Sequence, residues 1–441
     1  MSALMETILD IAGLPFSSIP EEAYETARLS LYDWLICGIA GRDEPLACKL
    51  RQMVADEGGS LTASIFGSSM APARAAALVN GATSHALDYD DTHFAHIGHL
   101  SVGIYPAALA AGEETRASAS AVVTAFLLGA EAAIRVGVVL GAGHYNRGFH
   151  QTATAGAFGA TVAAGRLYGL SRDEMRAALG LCATRTSGLK SQFGTMGKPY
   201  NAGVAASNGV ECAKLAKLGM TSCEDGLMGD QGFVVTHADE WGREVVSANQ
   251  FLFGDISFKF HACCHGTHAM IEALLEIMPQ LSGKTNQVKM IALRTNPRWL
   301  KVCNIPTPQT GLEIKFSYRW LAGMVMEGLN TGAFDTYRDD LATSSVLADF
   351  AEKVEVIGDA GITDMQAEGE VIFEDGSKVA FSHDLAQRPT LSNLKQRLQA
   401  KGAAVLADNA ALVKPVMEEF ASLSAADLGL IARKQDDSGN N

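Results

Sequence analysis

The stretch Asn80 to Ala107, NGATSHALDYDDTHFAHIGHLSVGIYPA, gathers charge and imidazole inside an otherwise apolar, Ala-rich setting. Four of the chain's eleven histidines, His85, His93, His96 and His99, fall within fifteen positions, together with three carboxylates, Asp88, Asp90 and Asp91. The segment before it, APARAAALVN, has the composition of a buried helix. If that helix runs on through His85, then His85, Asp88 and Thr92 stand at i, i+3 and i+7 on one face, and that face looks into a pocket. The helix should fail near Thr92, and Gly98 should let the chain double back and bring His99 over the same place.

Outward from this stretch the sequence reads as helix. Ser17 to Gly41 carries Pro20, acidic residues and the long apolar run LSLYDWLICGIAG, the pattern of a capped core helix. Further helices are predicted at Pro45–Ala55, Ala71–Asp88, Val102–Glu113, Ala119–Leu140, Ala153–Tyr168 and Arg172–Thr184, mostly Ala-rich and without strand-like alternation. The mixed-polarity segment SGLKSQFGTMGKPYN, Ser187 to Asn201, precedes another Ala-rich helix and is expected to converge on the first stretch. After Phe260 the character changes. One more helix, His268–Ile277, is followed by strand-like runs at Val288–Thr295, Lys353–Asp359 and Gly369–Ser382, the last a hairpin turning at Asp375-Gly376. The reading is a mainly α protein: a large all-helical domain over residues 1–263, a smaller α+β domain over 264–390, and a helical return over 391–441 that ends in a disordered KQDDSGNN tail.

Composition narrows the function. With 441 residues, 48% hydrophobic and 19% charged, the chain has the make-up of an ordinary folded protein. A net charge of −14, from 35 basic and 49 acidic side chains, repels a polyanion and argues against nucleic acid as a partner. A small anion is not excluded, because it responds to the few cations in its pocket and charges beyond roughly 8 Å are largely screened. Eight scattered cysteines without a CxxC pair read as reduced thiols, and the N-terminus lacks the features of a signal peptide, so a cytoplasmic protein is expected. The most apolar window, from Ala121, carries Glu131 and Arg135 in its middle, which points to a buried helix and not to a membrane span.

Four constellations carry chemistry. Asp88, Thr92 and His99, with His85 nearby, could orient and tune a general acid or base, and could equally be hydrogen-bonded within the fold. His93, His96 and His99 at i, i+3 and i+6 do not match HExxH, and on a regular helix the third ring turns far from the first, so no metal and no other cofactor is expected. Lys198, in GTMGKPYN, lacks the hydroxyl and the preceding strand of a phosphate loop; it could bind a substrate carboxylate or act as a base. ISFKFHACCHGTHAM, Ile256 to Met270, places Lys259, His261, His265 and His268 where the composition changes, and a helix that starts early would put the three histidines on one face. HYNRGFHQTATAG, from His144, adds Tyr145 and His150 ahead of a buried helix.

As an ordered set, these segments resemble the MmgE/PrpD family, whose members include 2-methylcitrate dehydratase, cis-aconitate decarboxylase and iminodisuccinate epimerase. The resemblance covers nearly the whole chain: LYDWLICGIAG, NGATSHALDYDDTH…GHLSVGIYPA, GFHQTATAGAFGAT, GKPYNAGVAASNGVECAKLAKLG, SFKFHACCHGTH and EIKFSYRWLAG. It implies a helical domain made from both chain ends with an inserted α+β lid, usually as a homodimer. It also implies a cofactor-independent site for small di- or tricarboxylates at the positions of Asp88, Thr92, His99, His150, Lys198 and Lys259, with His265 close by. Two positions depart from the family pattern. His99-Leu100-Ser101 stands where many members read HPS, and Trp320 stands where the F-S-x-x-Y motif has its tyrosine.

The shared chemical problem is to move a proton next to a carboxylate, which builds charge that cations or hydrogen-bond donors must meet. Asp88, His99, Lys198, Tyr145 and His150 are the candidate catalytic residues, and Thr92, Lys259, His265 and Trp320 the candidate substrate contacts. Returning the proton to the other face gives an epimerase of the iminodisuccinate type, which the Trp320 departure and the surplus of acid/base groups favour. Losing hydroxide or carbon dioxide gives a dehydratase or decarboxylase, the alternative. A non-catalytic anion-binding protein on the same scaffold is the reading from a different class.

Overall fold

The structure is a computed structural model and describes residues 2–238 and 245–433. The chain is mainly α and divides into two compact units, one of residues 1–258, 394–398 and 406–441, the other of residues 259–393 and 399–405.

The first unit includes the helices α1 (Ala3–Gly13), α2 (Glu21–Gly41), α3 (Pro45–Glu57), α4 (Ala73–His85), α5 (Ser101–Thr115), α6 (Ala119–Arg147), α7 (Gln151–Leu167), α8 (Arg172–Arg185) and α9 (Gly197–Lys217), with shorter ones at Phe233–His237, Lys414–Glu418 and Ala425–Arg433. Their starts follow local chemistry. Ser171 and Glu174 form a capping box on α8, and the Ser118 hydroxyl accepts from the Ala121 amide to start α6. Ala and Gly dominate the buried faces because the helices touch backbone to backbone. A Cβ on Gly203 of α9 would lie 2.2 Å from the Leu78 carbonyl of α4, so only glycine permits this crossing. The crossing brings the end of α4 and the start of α9 together, and the candidate site lies there. Larger side chains fill the rest. Leu4, Met5, Ile8 and Leu9 of α1 pack with Val136, Val139, Phe158 and Leu179, each such burial contributing about 1.5–3 kcal/mol.

Helix α6 is the one described helix long and apolar enough to cross a membrane, and 94% of its most apolar window is buried inside the fold. Its central Glu131 and Arg135 pair with each other, and both bind backbone of the segment 246–253. Arg135 donates to the carbonyls of Val246, Ser247 and Gln250, while Glu131 accepts from the amides of Leu252 and Phe253 at 2.7 Å. The helical geometry breaks at Gly141 (φ 66°), one residue past the predicted end at Leu140, and the chain then resumes a helical path to Arg147.

The second unit carries a four-stranded sheet in the order Val354–Gly358, Val288–Thr295, Gln366–Phe373, Lys378–Asp384. The first pair is parallel, with Ile291 opposite Val354, and the others are antiparallel. The hairpin turns at Asp375-Gly376, where Gly376 takes φ 81° and the Asp375 carboxylate accepts from the Ser377 amide. Helices His268–Ile277 and Tyr318–Met326 also belong to this unit. The KQDDSGNN tail, expected to be disordered, lies outside the described residues.

Candidate active site

Helix α4 ends at His85, earlier than the sequence suggested. Asp88 adopts φ 51°, a left-handed conformation that an aspartate tolerates and a helix does not, and Thr92 sits in a two-residue strand paired with Ser257. His85, Asp88 and Thr92 therefore do not share a helical face. The chain does double back. His93 and Gly98 form an antiparallel bridge, and the positive φ of the turn falls on Ile97 (55°) instead of Gly98. Gly98 serves close approach: a Cβ there would lie 2.9 Å from the Thr152 amide nitrogen. The next residue, His99, donates its own amide to the Thr152 hydroxyl at 3.0 Å.

This fold-back builds a cluster around a buried carboxylate. Asp90, fully buried, has Oδ1 2.8 Å from His85 Nδ1 and Oδ2 2.7 Å from His99 Nδ1; the second contact lies off the ideal hydrogen-bond direction. His99 Nε2 is 3.6 Å from Asp88 Oδ1, and the other oxygen of Asp88 meets Lys198 Nζ at 2.6 Å. The chain of contacts thus runs His85, Asp90, His99, Asp88, Lys198. His150 adds a third imidazole, its ring 6.1 Å from that of His85 and edge-on to Phe193 at 4.9 Å. Lys198 Nζ stands 5.4 Å above the same Phe193 ring. The members come from the end of α4, the loop after it, the start of α7 and the start of α9. The Asp88 side chain, 46% exposed, is the open edge of the group.

Burial sets the protonation states. Desolvation pushes His99 down to about 4, against the opposite pull of the Asp90 charge, so the ring is neutral at pH 7. His150 is pushed well below the usual range by burial and then by the neighbouring His85, Lys198 and His99. Burial alone would raise Asp90, yet His85 and His99 hold it well below the usual carboxylate range. Its neighbour Asp91 behaves in the opposite way, raised to about 7 by burial and by the Asp90 charge. Asp91 has a structural task. It accepts from the Ser101 amide at 3.1 Å and the Ser30 hydroxyl at 2.7 Å, tying the start of α5 to α2.

Of the residues singled out in the sequence, Asp88, His99, His150 and Lys198 come together. Tyr145 is engaged by Lys190, whose Nζ lies 3.5 Å from its ring centroid and donates to its carbonyl at 3.0 Å. Lys259, His265 and Trp320 belong to the second unit. There Lys259 is buried, the His265 ring lies 4.7 Å from His268, and Trp320 sits inside the helix Tyr318–Met326 with Nε1 3.5 Å from the Leu341 carbonyl. His261, His265 and His268 are not on one helical face, because the α-helix begins only at His268. His261 is instead bound by Thr331 at 2.7 Å and Glu272 at 3.1 Å. The sequence reading missed Asp90. The signal was the DYDD run, whose adjacent carboxylates, Asp90 and Asp91, point in different directions once the chain leaves the helix.

His93, His96 and His99 form no common ligand set, since His93 faces the Leu252 carbonyl at 3.1 Å and His96 the Ala133 carbonyl at 3.1 Å. A different group, His85, Asp88, Asp90 and His99, offers four ligand atoms within 4.8 Å of one another, a spacing a divalent cation could use. In the structure Lys198 already neutralises Asp88, and both Asp90 oxygens are turned to imidazoles.

A mainly helical body sets neutral imidazoles, ionised carboxylates and a lysine at the edge of a buried cluster, groups of the kind that acid–base chemistry uses. The comparisons give it a family. The model of the MmgE/PrpD N-terminal domain matches residues 10–244 and that of the MmgE/PrpD C-terminal domain residues 261–392, and the chain belongs to the MmgE/PrpD family. A cis-aconitate decarboxylase-like protein of Aspergillus oryzae is 31% identical over 286 residues, 60% of this chain and 59% of that one. Cis-aconitate decarboxylase of Aspergillus terreus is 30% identical over 297 residues, 62% and 60% of the two chains. The Homo sapiens cis-aconitate decarboxylase is 25% identical over 335 residues, 72% and 69%. The matched region spans about 60% of the length of the two Aspergillus relatives.

Proposed function

We propose that this protein is a lyase that decarboxylates a small unsaturated tricarboxylate of the cis-aconitate kind. The single observation that carries the reading is the run of contacts from Asp90 through His99 and Asp88 to Lys198, which holds an acid–base imidazole beside a cation at the open edge of a buried cluster. The names of the relatives favour the lyase outcome over the epimerase outcome that the sequence suggested.

The proposed step balances as follows. In a substrate with the unit ⁻OOC–CH2–C=CH, the bond from the CH2 carbon to its carboxylate breaks and carbon dioxide leaves. The freed electron pair becomes a new C=C bond, and the electrons of the old double bond take up one proton at the CH carbon. The enzyme must therefore hold the carboxylates that stay and supply one proton to carbon. Lys198 at the start of α9 is the anchor for a retained carboxylate. His99 is the proton donor. Empty, it is neutral; beside a bound polyanion its imidazolium is favoured, with Asp90 stabilising the charge through Nδ1. After transfer from Nε2 the ring returns to neutral, the form that burial prefers, and solvent reloads it.

Proton NMR of the protein with cis-aconitate tests this. The proposal expects two new vinylidene proton signals growing with carbon dioxide release, lost in Lys198→Ala. Exchange of a C–H next to a carboxylate without a new alkene signal would overturn it in favour of epimerisation.

A further inference from the structure

Three imidazoles share the cluster, and their different partners give them different tautomers. Asn201, buried on the first turns of α9, places Nδ2 3.2 Å from the Leu189 carbonyl and 3.2 Å from His150 Nδ1. A carbonyl oxygen only accepts, so the atom of Asn201 that faces it is the amide nitrogen; turning the amide over would set two acceptors against each other. With its orientation fixed by Leu189, Asn201 presents an N–H to His150 Nδ1, and Nδ1 must accept. The arrangement is rigid. The His150 amide donates to Gly188 O at 3.0 Å, the Lys190 amide to Gly148 O at 2.8 Å, and Phe149 bridges Leu189, so the carbonyl that orients Asn201 is locked to the backbone that carries His150. Gly188 takes φ 137° there, and a Cβ would lie 2.4 Å from that of Ala153, so glycine is required to keep this pairing close.

We infer that Asn201 is a positioning residue that fixes His150 as the neutral tautomer with its proton on Nε2, which makes His150 a hydrogen-bond donor to the reacting molecule and not a base. The contrast is with His99, whose Nδ1 lies 2.7 Å from the Asp90 carboxylate; a carboxylate only accepts, so the charge beside Nδ1 favours the proton there and leaves Nε2 as the acceptor. A neutral imidazole that donates from Nε2 suits the proposed step, because charge gathers on a retained carboxylate as the double bond moves and a fixed donor meets it without taking up a proton. The groups that face His150 agree with its staying uncharged. His85, His99 and Lys198 all disfavour a further cation, and Asp88 alone favours one.

The inference rests on the proposed lyase reading for its catalytic meaning, and the test separates the two. The full chain, ligand-free and labelled with ¹⁵N-histidine, is examined by long-range ¹H–¹⁵N correlation at pH 7, with His150→Gln to assign the ring. The expected result is His150 neutral and protonated at Nε2. In Asn201→Asp a carboxylate replaces the donor and draws the proton to Nδ1, so the His150 pattern changes to the Nδ1–H or doubly protonated form. The kcat for cis-aconitate then falls on the order of 10²-fold with KM little changed. A wild-type His150 protonated at Nδ1, or a pattern unmoved by Asn201→Asp, overturns the inference whatever the turnover. The wild-type spectrum decides even if the variant fails to fold. An Nε2–H pattern without turnover of any polycarboxylate upholds the tautomer and defeats the lyase reading instead.

Discussion

The end of α4 and the loop after it hold two kinds of histidine. His85 and His99 turn their Nδ1 atoms to the carboxylate of Asp90, whereas His93 and His96, only a few residues away, turn nitrogens to the backbone carbonyls of Leu252 and Ala133. All four are buried, so burial does not distinguish them; their partners do. A carboxylate can stabilise a ring that gains charge, and a carbonyl fixes a ring in place. His96 shows the second case. It is pushed down to about 3 by burial and then by its neighbour His93, and it fits against Gly137 so closely that a Cβ on that glycine would lie 2.5 Å from its Nδ1. On the proposed reading the imidazoles beside the carboxylate do the chemistry, while His96 ties the loop to α6 and His93 ties it to Leu252.

Substitutions can break this division. The largest effect is expected from His99→Ala, which removes the proposed proton donor and lowers kcat about 10³-fold, equivalent to about 4 kcal/mol on the barrier, while the thermal midpoint stays close to wild type. Steady-state kinetics beside a melting curve checks both halves. Asp90→Asn keeps the shape and loses the charge that the two rings share, with kcat expected to fall on the order of 10²-fold. Its pH–rate profile should move to lower pH, since the imidazolium loses its partner.

His96→Ala is expected to do the reverse of His99→Ala. It leaves kcat per folded molecule within a few-fold and costs about 2 kcal/mol of stability, read by urea denaturation, through a lost hydrogen bond and an unfilled space. A loss of turnover as large as that of His99→Ala would erase the distinction between the two pairs.

The smallest effect is the pH dependence of stability. His96, His99 and His144 are lowered to about 3, 4 and 4 in the fold, against roughly 6.5 in the unfolded chain. Between those values the unfolded state binds more protons, so their contribution is complete above about pH 6.5 and is lost as the pH falls toward 4. Asp91, raised to about 7, acts in the opposite sense, because the fold keeps its proton where the unfolded chain releases it. Burial also lowers His150 and His268, which act with the three imidazoles, and raises Glu113 and Glu131, which act with Asp91. The imidazoles outnumber the raised carboxyls, and the melting temperature should drop from pH 7 to pH 5, less steeply in His96→Gln.

Much of the fold was legible because it follows local rules. The strand Val288–Thr295 and the helix His268–Ile277 have the limits their residue patterns imply, and Gly141 breaks α6 where the apolar run ends. The error at α4 has a physical source. Nothing in ATSHALD disfavours a helix, and the stop at His85 goes with contacts that a continued helix would not make: Asp90 to the His85 and His99 rings, and Asp91 to the Ser101 amide and the distant Ser30 hydroxyl. At the site, Asp88, His99, His150 and Lys198 could be named because acid–base side chains are conspicuous in Ala-rich surroundings. That Asp90 would bridge two imidazoles, or that Asn201 would set the tautomer of a third, depends on the crossing of α4 with α9 and on the pairing of residues 148–150 with 188–190. No local pattern encodes either contact.

The central claim is that this cluster delivers one proton to carbon as carbon dioxide leaves. The direct measurement is NMR of the product formed from cis-aconitate in deuterated water. The account predicts one deuterium per molecule of carbon dioxide, carried by the CH2 group of the product next to its carboxylate, with the new terminal =CH2 free of label. Deuterium in the =CH2 group, or labelled substrate recovered without loss of carbon dioxide, would contradict it.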